Sequence, residues 1–483
     1  MNLFISIAPD TTRLAEMSRP KRVAIVGGGI TGAMAASTIA HHAGRSVEVV
    51  VFDQGSRGPG GRASHRSVRP DDAKVLPDDG PVPEETFEFD HGCQFFRADS
   101  ARMQELCANW CASGIAAQWQ GRFGCVGDGS AVDFFGLPSD ARPVYVGVGG
   151  MQRLPRVILR GASESVTVHA GVRVSGMTRD EGTLGWKIEG VGGVAAFHDS
   201  PEAQAAATAP RVLGIFDVVL LTDVSSSFES WHRASAGVPE AIAERVRSRV
   251  RVPLFSCMVT LPSTLTLPYD AFTFSDGAGS DQPLWFAART ASKPGLGCST
   301  HAHECWTLIS TPTYAAAEIA RVTMQDPTTG AFRPQENGYL NSEPGPLLYR
   351  AFARAIAPLL PLDAPPPPDT PAYLQAQRWG SAFPAPSSVE GRDVRGCGPT
   401  STEVLGITYE SAVPPLVYER PAAEMGADAQ DDADFLAEEA LGIFYAGDYC
   451  SRRAPGFEAA CLSGLEAGEY IAGLLRPLVK TAC

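Results

Sequence analysis

The sequence predicts an α/β protein in which a dinucleotide-binding layer is interleaved with a second domain, α+β in character, built on a mixed sheet. Three observations carry that reading. A β-branched strand, a glycine turn, a small-residue helix and a second strand succeed one another between Lys21 and Asp53. Strand signals then recur at 166–174, 186–188 and 216–221, and again at 252–261, 284–289 and 305–310. A closing strand at 441–446 runs through Gly447-Asp448 into a helix over 457–475. The expected division is an N-terminal extension (1–20), three dinucleotide-binding parts (21–98, 141–230, 439–483) and two parts of the inserted domain (99–140, 231–438).

Each element has a local reason. Lys21–Val26 is a short apolar run that closes on Gly27-Gly-Gly-Ile-Thr-Gly32, and Ala33–His42 is small and helix-favouring up to Gly44. Val47–Phe52 closes on Asp53, so the unit reads as two parallel strands joined by a crossover helix. From 66 to 85 the chain is polar and proline-rich, as a surface insertion is, before Phe87–Asp90 alternates again. Residues 100–113 have helical spacing, with Met103, Leu106 and Trp110 on one stripe. The stretch 190–210 is rich in Ala and Gly and reads as a flexible loop, while 364–371, rich in Pro, and 422–439, rich in acids, read as solvated connections.

Composition bounds the partners. The 483 residues are 44% hydrophobic and 19% charged, a globular balance, and 54 acids against 40 bases leave a net charge of −14. Such a surface repels phosphate backbones and anionic lipid, so no nucleic acid and no membrane partner is expected. Eleven scattered cysteines without a CxxC pair read as reduced thiols. His301 and His303 alternate on one strand but lack a third ligand, so no metal is expected. Met1–Ala8 is apolar without a basic flank, and no apolar run reaches the roughly 18 residues of a spanning helix, which makes cytoplasm the default compartment. Met17 is an alternative start to Met1, and nothing in the composition sets an oligomeric state.

Gly27, Gly29 and Gly32 match GxGxxG: the first permits the tight turn, the second lets a diphosphate reach the backbone, and the third lets helix pack on strand. The helix start at Ile30 and Thr31 offers free N–H groups to an anion. Asp53, at the end of the second strand, is placed to accept from ribose hydroxyls. The structural alternative, glycines serving packing alone, leaves the position of Asp53 without a reason.

Three further segments narrow the choice of dinucleotide. Gly58-Pro-Gly60-Gly61-Arg62 follows the second strand, Phe89-Asp90-His91-Gly92-Cys93-Gln94-Phe95-Phe96 follows the insertion, and Tyr445-Ala-Gly447-Asp448-Tyr-Cys450 leads to Gly456-Phe457-Glu458-Ala-Ala-Cys-Leu-Ser-Gly464. Together they resemble the flavin amine oxidase superfamily, most closely its renalase-like branch. Tyr145–Met151, Leu284–Arg289 through Ser292-Lys293-Pro-Gly295, Thr311-Pro312 and Gln377-Arg378-Trp379 look like the same branch. The resemblance implies a Rossmann-like FAD-binding domain interleaved with a mixed-sheet substrate domain, and FAD bound non-covalently. It places Gly60, Gly61 and Arg62 near the diphosphate or flavin edge, Val172 at the adenine, Gly447 and Asp448 at the ribityl or phosphate region, and Phe457 and Glu458 at a helix start aimed at the flavin.

The resemblance also implies the chemistry. Amine-oxidising members hold a Lys near flavin N5 and an aromatic cage; here Val252–Cys257 has no Lys, and Gly456 stands at the second cage position unless Phe457 takes it. Both departures favour a renalase-like oxidase that takes hydride from a dihydropyridine, such as an isomer of NAD(P)H, to flavin N5 and passes electrons to O2 to give H2O2. An FAD-dependent amine or polyamine oxidase or desaturase is the alternative, and a non-catalytic flavin-binding scaffold or redox sensor the alternative of another class. Gln94 and Phe96 are the candidate substrate-facing wall, with Phe96 equally readable as core. His91 is read as a structural hydrogen-bonding residue before a general base. Arg289, Lys293 and Arg378 are open to substrate phosphates or to ion pairs, and Cys107 and Cys111 share a helix face as small hydrophobes.

Overall fold

The structure, a computed structural model, describes residues 19–55, 57–70, 86–127, 143–192, 209–227, 236–247, 249–274, 282–297, 303–324, 338–385, 403–404, 407–408 and 434–476. The alternative start Met17, His301 and most of 66–85, 190–210 and 422–439 lie outside these residues.

The strands that organise it are β1 (Lys21–Val26), β2 (Val47–Asp53), β3 (His65–Val68), β4 (Phe87–Asp90), β5 (Val166–Ala170), β6 (Val218–Leu221), β7 (Arg251–Leu261), β8 (Glu304–Ser310), β9 (Tyr373–Pro384), β10 (Phe435–Glu438) and β11 (Ile443–Ala446). The principal helices are α1 (Ile30–Ala43), α2 (Ala101–Ala112), α3 (Arg153–Gly161) and α4 (Phe457–Leu475). The first sheet has the order β10-β11-β6-β1-β2-β5 and is parallel except at the edge strand β10. Both faces are covered, which is why its strands are apolar almost throughout. Val23 and Ile25 pack under α1 and α4, and Ala24 and Val26 face a three-stranded antiparallel sheet of Val172–Arg179, Trp186–Gly192 and Arg211–Phe216.

Two runs expected as single strands are each divided between these sheets. The 166–174 run breaks at Gly171, whose φ of 70° suits glycine and whose N–H donates to the Gly55 carbonyl. The 216–221 run breaks at Asp217, which accepts from the Arg22 amide and pairs with Arg19 and Lys21. A periodic pattern reports burial and does not say in which sheet a residue is buried.

The second sheet has the order β9, β7, β8, Leu284–Arg289, Ala271–Phe274, Phe123–Val126, antiparallel except for the last pair. Phe255, Phe272, Trp306 and Phe352 form its core, with helix Pro344–Ile356 laid on it. Thr311 caps a further helix, Pro312–Arg321, accepting from the Tyr314 amide, with Pro312 at the position where a missing N–H costs nothing.

Two expected surface connections are corrected. Residues 66–68 belong to β3, which is buried throughout and pairs antiparallel with β4. Residues 435–438 form β10, and the neighbouring Asp434, 4% exposed, pairs with Arg453. Polar residues at these places are paired inside: His65 of β3 with Asp90 and Glu88, and Asp434 with Arg453. The proline tract 364–371 adds no strand. Among the described residues no helix is long and apolar enough to cross a membrane.

Candidate functional site

The first βα corner obeys the mechanical roles of its glycines unequally. Gly27 has φ of 110°, and a Cβ there would stand 2.3 Å from Thr222 Oγ1; a Cβ on Gly32 would stand 2.0 Å from the Gly27 carbonyl oxygen. These two are required by packing. At Gly29 the nearest atom beyond its chain neighbours to such a Cβ is Gly61 Cα, 3.8 Å away, so packing does not require glycine there. No side chain caps α1, and its first turn, with Ile30 and Thr31, carries no acid. That leaves the N-terminal N–H groups and the positive end of the helix for an external anion.

Asp53 is 5% exposed at the end of β2, and its carboxylate accepts from the Gly28 and Gly55 amides, both at 2.8 Å. Burial raises its pKa against these two hydrogen bonds. The Gly55 carbonyl in turn receives the Gly171 amide, which sets Val172 beside the same turn.

The second glycine segment lies against the first, since a Cβ on Gly61 would be 3.2 Å from Gly29 Cα. Gly60 packs on Gln152, whose amide donates to the Pro59 carbonyl. Arg62 reaches across 386 positions of sequence to Asp448, donating to its two oxygens at 2.7 and 2.5 Å, and also to the Ala382 carbonyl at 2.9 Å. Asp448 is 1% exposed. The carboxylate and guanidinium read separately as ligands of the cofactor are thus each other's partners, a bidentate pair joining the two ends of the chain. Gly447, with φ of 136°, donates to Ser463 Oγ at 2.8 Å, and its Cβ position is 3.8 Å from Thr31 Oγ1. Thr31 itself donates to the Ala460 carbonyl at 2.9 Å. The tail's Gly-Asp turn therefore abuts the first corner.

Asp90 centres a buried charged network. Its carboxylate meets His65 Nδ1 at 3.0 Å, the Met151 amide at 2.8 Å and Lys293 Nζ at 3.0 Å. Lys293, 3% exposed, also donates to Gln94 Oε1 at 3.2 Å and lies 5.2 Å from the centre of the Trp119 ring. Burial opposes the charge on His65, but hydrogen bonds and charge from Asp90 and Glu88 outweigh it and lift the pKa to about 9. Burial likewise opposes the Asp90 carboxylate, and Lys293 with His65 holds it well below the usual range. Neither His65 nor Lys293 as a partner of Asp90 was foreseen; they stand 25 and 203 positions from it, with no local pattern linking them.

Other expected site residues meet partners of their own, some of them as one of the two sequence readings has it. Gln94 turns its amide inward, donating to the Asp90 and Gly92 carbonyls. Phe96 is core, stacked on Phe457 at 4.5 Å and on Tyr145 at 5.7 Å, because α2 and α4 meet there. The Phe457 ring is engaged in that contact, and Glu458 accepts from the Asp99 and Ser100 amides, holding the start of α2. The His91 ring makes no hydrogen bond among the described residues: both its nitrogens are buried without a partner, the ring stacks on Trp379, and burial keeps its pKa well below 6.5, while the backbone carbonyl of His91 accepts from Trp379 Nε1. Arg289 pairs with Asp270 and Glu304, and Arg378 donates to the Val322 carbonyl. Cys107 is pushed up to about 12 by burial and by Cys111.

Comparison with known proteins gives a family description for part of the chain and a fold for most of it. The NAD(P)-binding Rossmann-like domain matches residues 25–110. A provisionally named protoporphyrinogen oxidase from Exiguobacterium sp. 255-15 superposes with a TM-score of 0.52 at 12% identity, over 94% of this chain and 99% of that one. Cyclohexylamine oxidase from Brevibacterium oxydans IH-35A gives 0.49 at 11% identity, over 94% and 98%. Wild-type putrescine oxidase bound to putrescine gives 0.49 at 11%, over 94% and 99%. No curated protein matches this chain in sequence. The first likeness is one of fold: a Rossmann-like layer with mixed sheets, as the strand order shows.

Proposed function

We propose that this chain is an FAD-dependent oxidoreductase, and within that class a renalase-like oxidase of dihydropyridines such as isomers of NAD(P)H. The observation that carries it is the meeting of three remote segments at one corner: the glycine turn at 27–32, the Gly60-Gly61-Arg62 loop and the Gly447-Asp448 turn. An extended dinucleotide fits such a corner. The uncapped start of α1 and the permissive Gly29 suit its diphosphate, and the Asp53 carboxylate suits a ribose.

When bound, FAD supplies a two-electron acceptor that takes hydride and yields it to O2. The protein's part is to hold, orient and exclude water. The Arg62–Asp448 pair fastens the glycine loop to the tail, and the Asp90 network fixes the strand end before Gly92 without offering a free base. The His91 ring, neutral and without a hydrogen-bond partner among the described residues, is closed off from water.

The absence of Lys from Val252–Cys257 supports the dihydropyridine reading over amine oxidation, with buried Ser256 accepting from Trp379 Nε1 at 3.1 Å in that stretch. So does the stacking of the partly buried Phe457 ring on Phe96, a contact that engages it outside a cage. The test is anaerobic: purified protein is yellow, and its flavin absorbance bleaches with dihydronicotinamide isomers carrying the hydride on the wrong ring carbon. Bleaching by amines or polyamines instead would move the assignment to amine oxidation, and bleaching by neither class would remove the catalytic reading.

A further inference from the structure

We infer that Arg249 is an anion-binding residue beside the Gly447–Asp448 turn, its guanidinium pairing with the diphosphate of the bound dinucleotide; this rests on the cofactor reading above. Arg249 stands between helix Glu240–Arg247 and β7, its amide held by the Val246 carbonyl at 3.2 Å. Its Nε and Nη2 are closed off from solvent and meet no hydrogen-bond partner, and no carboxylate pairs with it among the described residues.

The helix before it packs through Ile242, Ala243 and Val246 in one apolar cluster with Tyr445, Tyr449 and Cys450 of the tail, and of the groups of that turn that bear on it, Cys450, Asp448 and Tyr449, only Asp448 is charged near neutral pH. The carboxylate among them is already held at both oxygens by Arg62. Burial without a counter-ion accordingly lowers the pKa of Arg249. A desolvated cation left unpaired is costly, and a chain that keeps one beside a ligand corner points to a counter-ion that comes with the ligand. Arg62 and Arg249 outnumber the one carboxylate of this turn, an excess of positive charge that a diphosphate neutralises. The planar fork of arginine matches phosphate oxygens in a way a lysine ammonium does not.

The test titrates flavin-free full-length protein with FAD and, separately, with riboflavin, which has no phosphate, and follows the flavin fluorescence. R249M is expected to weaken FAD by about 30-fold or more while riboflavin binds as to wild type. R249K should recover part of the loss, and inorganic pyrophosphate should compete with FAD for wild type more effectively than for R249M. Flavin-free R249M should melt no lower than wild type, because it lacks an unpaired buried charge. Equal FAD affinity in wild type and R249M overturns this inference and leaves the cofactor reading standing. Parallel losses for FAD and riboflavin, with a lower melting temperature, assign Arg249 a structural role and overturn it as well. Wild type that binds no FAD overturns the cofactor reading itself.

Discussion

His65 gives the sharpest stability prediction, because its charge is held by the two carboxylates Asp90 and Glu88. It is 8% exposed, and its pKa rises from the ordinary 6.5 to about 9. A group protonated more readily in the folded than in the unfolded state stabilises fully below its unfolded pKa, and that contribution fades as pH climbs through the folded pKa. The rise corresponds to about 3 kcal/mol, present below pH 6.5 and lost by about pH 9. The buried thiol of Cys93 does not confuse this window, since it is pushed up to about 12. The substitution His65→Gln keeps an amide donor for Asp90 and removes the titration. Urea denaturation of both proteins, followed by tryptophan fluorescence at half-unit steps of pH, should show their stability difference shrinking by about 3 kcal/mol between pH 6.5 and 9. Curves that stay parallel across that interval would refute the assignment of a charged His65.

Three more expectations follow from packing and pairing. Asp53→Ala frees the Gly28 and Gly55 amides and should weaken FAD retention, read as the flavin-to-protein absorbance ratio after gel filtration; a ratio equal to wild type removes Asp53 from the ribose assignment. Arg62→Met should cost about 3–5 kcal/mol, because it strands a carboxylate that is 1% exposed, whereas Asp448→Asn should cost about 1–2 kcal/mol, because Arg62, 36% exposed, keeps the Ala382 carbonyl. The reverse ranking in urea would mean that the pair is not the clasp described. Gly464→Ala sets a Cβ 2.2 Å from the Thr31 carbonyl oxygen and should destabilise by about 1–3 kcal/mol, while Gly473→Ala on the same helix meets nothing within 4 Å and should be neutral or gain up to about 1 kcal/mol in thermal denaturation.

Legibility in the sequence followed range. The βαβ unit, the α2 stripe and the closing strand and helix could be read because each depends on neighbours a few positions apart. Gly32 was assigned to helix packing from spacing, and its Cβ clash with Gly27 gives the steric reason. Two strands were lost: β3 carries a His65 whose charge is held by Asp90 and Glu88, and β10 lies at the end of an acidic stretch whose Asp434 pairs with Arg453, so composition assigned both to the surface. The candidate wall formed by Gln94 and Phe96 failed as an open surface for a related reason. One amide is claimed by Asp90 and Lys293, and one ring by Phe457.

What the amino-acid order determined by itself was the local grammar: which residues turn, which run as strand, and where an anion can meet a bare helix start. Backbone geometry and short-range sterics govern these, and both are written within a few residues. Only the tertiary structure decided which charges neutralise one another. Arg62 and Asp448 find each other across 386 positions and Lys293 finds Asp90 across 203, while Nε and Nη2 of Arg249 meet no partner among the described residues. Electrostatic pairing in a desolvated interior depends on distance through space, and chain order alone does not encode that distance.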